Sequence, residues 1–240
     1  MASNRNVVFD LIGTILSYEN FFQAIDTRLG QKLRAEGIKP SLLGYTWIEV
    51  SEREYTYLSI SKSYIPLTEC MEKLFYRMLW MAGIEEPRAF ANDEDLEFIM
   101  DGYQNLQVRP GAVDCVAKLH GAGFVVWGLT AGDLKHVNGC FARAGIDIPS
   151  GNILSCDSSG VGKPDPAAYS PVLKRLSKED KPWFAAAHAW DVSAAKRTGF
   201  KAAYCSIWEK EAVPELFGPM DVAASNLPEM AEKIIAAECA

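Results

Sequence analysis

From Ala112 onward the chain alternates between stretches of helical spacing and short apolar runs. The spacing predicts a helix from Ala112 to Ala122, a strand from Phe124 to Leu129, and a helix from about Leu134 to Ala144. A strand about Ile153, a helix from Pro166 to Leu176 and a strand from Trp183 to Ala187 come next. A helix from Ser193 to Thr198, short strands at Ala202–Cys205 and Val222–Ala223, and a closing helix from Leu227 complete the pattern. Near the start, Val7, Val8 and Phe9 form one more apolar run, of the kind that fills a strand buried on both faces. Strands alternating with helices predict an α/β fold, a doubly wound parallel sheet that binds ligands at the carboxyl ends of its strands.

Between Ser17 and about Val108 the pattern changes. Phe21 to Glu36, Leu42 to Ile60, Leu67 to Ala82 and Asn92 to Leu106 carry apolar residues at helical spacing, with no convincing strand. This predicts an all-helical domain at 17–108, inserted into a core domain made of 1–16 and 109–240. The aromatic residues Tyr45, Trp47, Tyr55, Tyr57, Phe75, Tyr76 and Trp80 read as packing of that insertion.

A length of 240 residues, 49% of them hydrophobic, suits a domain of usual size carrying an inserted one. A net charge of -7 without any basic run argues against nucleic acid or an anionic membrane as partner and leaves a small-molecule substrate. With no charged-then-apolar leader and no apolar run able to span a bilayer, a cytoplasmic location is expected. The six cysteines form no Cys-x-x-Cys pair and are expected to be reduced and mostly buried.

The chemistry gathers at strand ends. Asp10 closes the first apolar run, and Gly13 and Thr14 make the turn beyond it. Thr130 closes the strand Phe124–Leu129, with Ala131 after it. Lys163 stands in the loop Gly160-Val161-Gly162-Lys163-Pro164-Asp165-Pro166, ahead of Tyr169 on the next helix. Gly162-Lys163 is not a phosphate-binding loop, since Asp157 and Pro164 occupy positions where that motif needs Gly and Ser or Thr. Asp191 follows Trp183 to Trp190, a small-residue strand that also carries His188.

In this order and spacing, Asp10, Thr130, Lys163-Pro164 and Asp191 resemble the four motifs of the haloacid dehalogenase superfamily, from Val7 to about Ala224. The resemblance implies a Rossmann-like core, with the helical insertion as a cap like that of the L-2-haloacid dehalogenase branch, and a homodimer through cap surfaces. It implies Asp10 as a nucleophile that forms an aspartyl ester, Lys163 keeping it ionised, and Thr14 and Thr130 orienting it. Asp191 and His188 are both candidates for the base that hydrolyses the ester, with Trp190 beside them and Tyr169 toward the substrate.

Magnesium-dependent phosphatases of the superfamily carry a second Asp two residues after the nucleophile; here that residue is Ile12, and Ala187 stands where many place another acidic ligand. No metal or other cofactor is therefore expected, and hydrolysis of a carbon–halogen bond in a small 2-haloacid-like substrate is the leading reading. The alternatives are a magnesium-dependent phosphatase or phosphonatase, or a binding protein of low turnover. Two departures bear on the substrate. Glu49 occupies the place of the branch's halide-binding arginine, with Arg53 one helical turn away, and Ala131 replaces an Asn.

Overall fold

The computed structural model describes residues 5–177 and 180–239. Two compact units emerge, Met1–Ser17 with Val108–Ala240, and Tyr18–Gln107. Their junctions fall at 17/18 and 107/108, against 16/17 and 108/109 in the sequence pattern.

In the first unit, six strands among the described residues form one parallel sheet: β1 (Asn6–Asp10), β2 (Val125–Thr130), β3 (Ile153–Ser155), β4 (Trp183–Ala186), β5 (Lys201–Cys205) and β6 (Val222–Ala224). Their spatial order is β3-β2-β1-β4-β5-β6. The chain leaves β1 for β2 on one side and later returns to β4 on the other. A crevice therefore opens beyond the carboxyl end of β1, where a doubly wound sheet binds its ligands. Parallel pairing sets Val8 beside both Trp127 and Phe184, and Asp10 beside Leu129.

Every residue of β1 is buried, as its unbroken apolar run requires of a strand covered on both faces. Against one face pack Trp127, Tyr169, Phe184, Val192 and Tyr204. Each large apolar side chain so enclosed contributes about 1.5–3 kcal/mol of transfer free energy. Buried polar atoms on this sheet find partners, as with Trp127 Nε1, which donates to Asn6 Oδ1 at 2.9 Å.

One expectation changes here. The strand β4 ends at Ala186, and the following helix spans Ala189–Thr198 instead of starting at Ser193. Asp191 thus lies in the first turn of a helix and not at a strand end. A carboxylate is favoured there by the N-terminal end of the helix dipole.

The second unit is built on the helices Glu19–Ala35, Pro40–Ile60, Leu67–Met81 and Asp93–Gln104. The last begins with a capping box, in which Asn92 accepts from Asp95 N and Asp95 accepts from Asn92 N. Its core is aromatic: Trp47 lies 5.2 Å from Phe21 and 5.1 Å from Phe75 between ring centroids. The aromatic set read as packing divides. Trp47, Tyr55 and Phe75 are buried, but Tyr45, Tyr57 and Trp80 are exposed, because they fall on the outer face of their helices.

No helix among the described residues is long and apolar enough to cross a membrane. Of the six cysteines, all free, five are buried and Cys239 is exposed.

Candidate active site

Asp10 ends the innermost strand, and the chain turns away from it at Gly13, whose φ of 85° is a conformation that favours glycine. That turn returns the Thr14 hydroxyl to Asp10, donating to Oδ2 at 2.7 Å. The same hydroxyl accepts from Ala187 N at 2.8 Å, which ties the turn to the end of β4. From beyond the insertion, buried Arg109 donates to the carbonyls of Gly13 at 2.6 Å and Thr14 at 3.1 Å. The turn after Asp10 is thus fixed from three sides.

The loop after β3 delivers Lys163, whose ammonium donates to Asp10 Oδ1 and Asp191 Oδ2, both at 2.6 Å, and to the Leu129 carbonyl at 3.3 Å. Tyr169 completes the surroundings of Asp191 by donating its hydroxyl to Oδ1 at 2.5 Å. His188 Nδ1 lies 3.2 Å from Asp10 Oδ2, and its ring leans on that of half-buried Trp190 at 5.8 Å between centroids. Ile12 is buried, and Gly132 approaches it so closely that an added Cβ would lie 2.4 Å from Ile12 Cδ1.

Burial is the largest influence on Asp10 and opposes its charge, yet Lys163 and His188 together hold its carboxyl well below the usual carboxylate range. Burial likewise opposes the Lys163 ammonium, but the Asp10 and Asp191 carboxylates raise it well above an ordinary lysine. Asp191 moves the other way from Asp10: burial, aided by the neighbouring Asp10 charge, lifts it above its ordinary value despite Lys163 and Tyr169. Burial and Asp191 also push the Tyr169 hydroxyl far up, so it stays protonated and keeps donating. Such a centre holds Asp10 as a permanent anion with a permanent cation beside it.

Asp10, Thr14, Lys163, Asp191 and His188, all expected at the site, converge. Two expected roles are revised. Thr130 is wholly buried, but its hydroxyl accepts from Gly132 N at 2.9 Å and gives Asp10 no bond, because it turns into its own loop. Tyr169 is wholly buried with its hydroxyl bonded to Asp191, so it supports that carboxylate and does not reach toward a substrate. Ala131 is half-buried. Glu49 and Arg53 sit on the helix Pro40–Ile60 and are exposed, and Arg53 Nη2 bonds Glu54 Oε1 at 3.1 Å.

Sequence reasoning missed Arg109 and Glu209. Glu209 accepts from Ala189 N at 2.8 Å and from the Tyr204 hydroxyl at 3.1 Å, anchoring the start of the helix that carries Asp191. Neither has a signal in spacing, since a charged residue outside a motif reads as solvated surface.

The donor set does not fit magnesium, which needs a near-octahedral oxygen cage. The ammonium of Lys163 stands between the two carboxylates, and positions 12 and 187 carry no side-chain oxygen. Among the described residues, no group of three or more His, Cys, Asp or Glu is arranged to hold a metal ion.

Comparison with known proteins agrees with this geometry. The (S)-2-haloacid dehalogenase 2 of Pseudomonas sp. (strain CBS-3) is 25% identical over 206 residues, covering 85% of this chain and 84% of that protein. A dehalogenase solved with an intermediate complex superposes with a TM-score of 0.77 at 22% identity, covering 96% of each chain. The L-2-haloacid dehalogenase of Xanthobacter autotrophicus with chloropropionic acid covalently bound gives 0.73 at 20% identity, covering 96% of this chain and 98% of the other. Residues 5–199, which hold the whole constellation around Asp10, match the family model for haloacid dehalogenase-like hydrolases, and the chain belongs to that family of hydrolases.

Proposed function

We propose that this hydrolase cleaves a carbon–halogen bond in a small 2-haloacid-like substrate, without a metal, through an ester on Asp10. The observation that carries the reading is the state of Asp10. It is a buried carboxylate kept ionised by Lys163 on one oxygen and oriented by Thr14 on the other. Next to it, at the position where a phosphatase keeps its leaving-group acid, stands Ile12. A halide departs without a proton, so an isoleucine there costs nothing, whereas an alkoxide leaving group would go unprotonated. In the first step an Asp10 oxygen displaces the halide from carbon; in the second, water attacks the ester carbonyl and releases the hydroxy acid.

The names of the similar proteins support this reading, and one of those structures carries chloropropionic acid covalently bound. Ala131 supplies no side-chain donor to a halide, so the contact made to the departing halide differs from the one the resemblance implies. A panel of 2-haloacids, haloacetates and phosphate esters, assayed with and without magnesium, tests the proposal. Halide release with transient mass addition on Asp10 is expected; turnover confined to phosphate esters would sink it.

We further infer a cytoplasmic homodimer that uses the helical unit. There Leu42, Tyr45, Tyr57 and Ile60 leave large apolar surface exposed along one helix, with Trp80 and Met81 exposed on the next. Light scattering that gives the mass of one chain at micromolar concentration would exclude this assembly.

A further inference from the structure

We propose that His188, and not Asp191, takes the proton from the water that hydrolyses the Asp10 ester. The proposal rests on the aspartyl-ester reading and assigns the base of its second half.

Asp191 is placed as a holder of other groups. One oxygen receives the Lys163 ammonium and the other the Tyr169 hydroxyl, and the residue has no exposed surface. Both bonds are charge-assisted, and a proton accepted there would weaken both. Removing the Asp191 charge would also free Lys163 from one of its two carboxylates in the middle of the reaction. Asp191 is therefore a positioning residue for Lys163.

His188 has the opposite disposition. It caps the helix Ala189–Thr198 in extended conformation, one residue after the Ala187 amide that is fixed to Thr14. This sets Nδ1 3.2 Å from Asp10 Oδ2, on the Thr14 side of the carboxylate and away from Lys163. Water that attacks the ester carbon of Asp10 from this side comes within hydrogen-bond reach of that nitrogen.

The protons balance. Against the Asp10 anion, His188 Nδ1 faces Oδ2. Displacement forms the carbon–oxygen bond to Asp10 and breaks the carbon–halogen bond, with the electron pair leaving on the halide. Asp10 is now a neutral ester, and the halide departs to solvent. Neutral His188 then takes a proton from water as the hydroxide oxygen joins Cγ. As the tetrahedral species collapses, its hydroxyl proton passes to the departing alkoxide, which gives the hydroxy acid and the Asp10 anion, and His188 then gives its proton to solvent. One halide and one proton appear per turnover.

Rapid-mixing assays on the full chain with 2-chloropropionate separate the two halves, reading chloride release and intact protein mass together. In His188→Ala and His188→Asn, about one chloride per active site is expected in a burst with the ester trapped on Asp10. Steady turnover should fall by roughly a hundredfold or more, the scale of a lost general base. Added imidazole should restore turnover in His188→Ala, which a merely misfolded variant would not show. In Asp191→Asn the burst itself should slow, without trapped ester. Wild-type turnover in either His188 variant, or ester trapped only in Asp191→Asn, would overturn the assignment while leaving the ester chemistry intact. If the wild-type enzyme forms no ester with any haloacid, the underlying reading fails with it.

Discussion

Lys163 Nζ rests 2.6 Å from Asp10 Oδ1 across 153 positions of sequence, with both side chains almost wholly buried. A pair of this kind is felt most when one partner is removed, since the other is left as an unpaired charge in the interior.

Lys163→Met is accordingly expected to destabilise the chain by about 3–5 kcal/mol, read by denaturant unfolding at neutral pH. It should also raise the pKa of Asp10. In the wild type that pKa lies below its unfolded value, so the stabilisation from Asp10 is present above about pH 3.9 and disappears only as pH falls through the lower folded value. Lys163 has the opposite sign: its pKa is raised, so its contribution is full below about pH 10.4 and is lost as pH rises through the folded value. The acidic limb of the activity profile should therefore move upward in the variant. An unchanged limb would mean that Lys163 does not govern the ionisation of Asp10.

Asp10→Asn should abolish turnover and leave the fold intact, because an amide matches the carboxylate in size but is a far poorer nucleophile. Chloride release and the circular dichroism spectrum check the two halves of that statement. Activity above about a hundredth of wild type, with deamidation excluded by mass spectrometry, would remove Asp10 from the nucleophile's place.

Arg109→Ala takes away the donors to the Gly13 and Thr14 carbonyls. The expected cost is about 1.5–3 kcal/mol for each lost bond to a charged group, together with a fall in kcat as the Thr14 hydroxyl loosens from Asp10. Thermal unfolding and steady-state kinetics report the two effects separately. A variant as stable as the parent would show that the turn holds itself.

Chelation is expected to leave the rate unchanged, since a Lys163 ammonium stands between the carboxylates that would have to share a cation. Loss of activity with EDTA, restored by magnesium, would bring back the phosphatase alternative.

The convergence of Asp10, Thr14, Lys163 and Asp191 was implied by the resemblance of their order to the superfamily motifs, and the sheet was legible because short apolar runs alternate with segments of helical spacing. The start of the helix that carries Asp191 was not. Ala185-Ala186-Ala187-His188-Ala189 offers small side chains at every position but His188, so neither a period of two nor one of 3.6 stands out. Arg109 escaped for a different reason: its burial depends on carbonyls 95 and 96 positions away, which no local pattern encodes. Which of the aromatics are exposed, as Tyr45, Tyr57 and Trp80 are, was not legible because aromatic composition reports the amount of apolar surface and not the side of the helix that bears it.

Asp10 is carried by a strand that has a hydrogen-bonded neighbour on each side and every residue buried. Backbone amides there are expected to open to solvent only with the whole core unit, which would place them among the slowest to exchange in that unit. Local fraying, common at loop-borne active sites, leaves Asp10 in place. On heating, catalysis should end together with the cooperative melting of the sheet, with no earlier inactivated state that keeps the core folded.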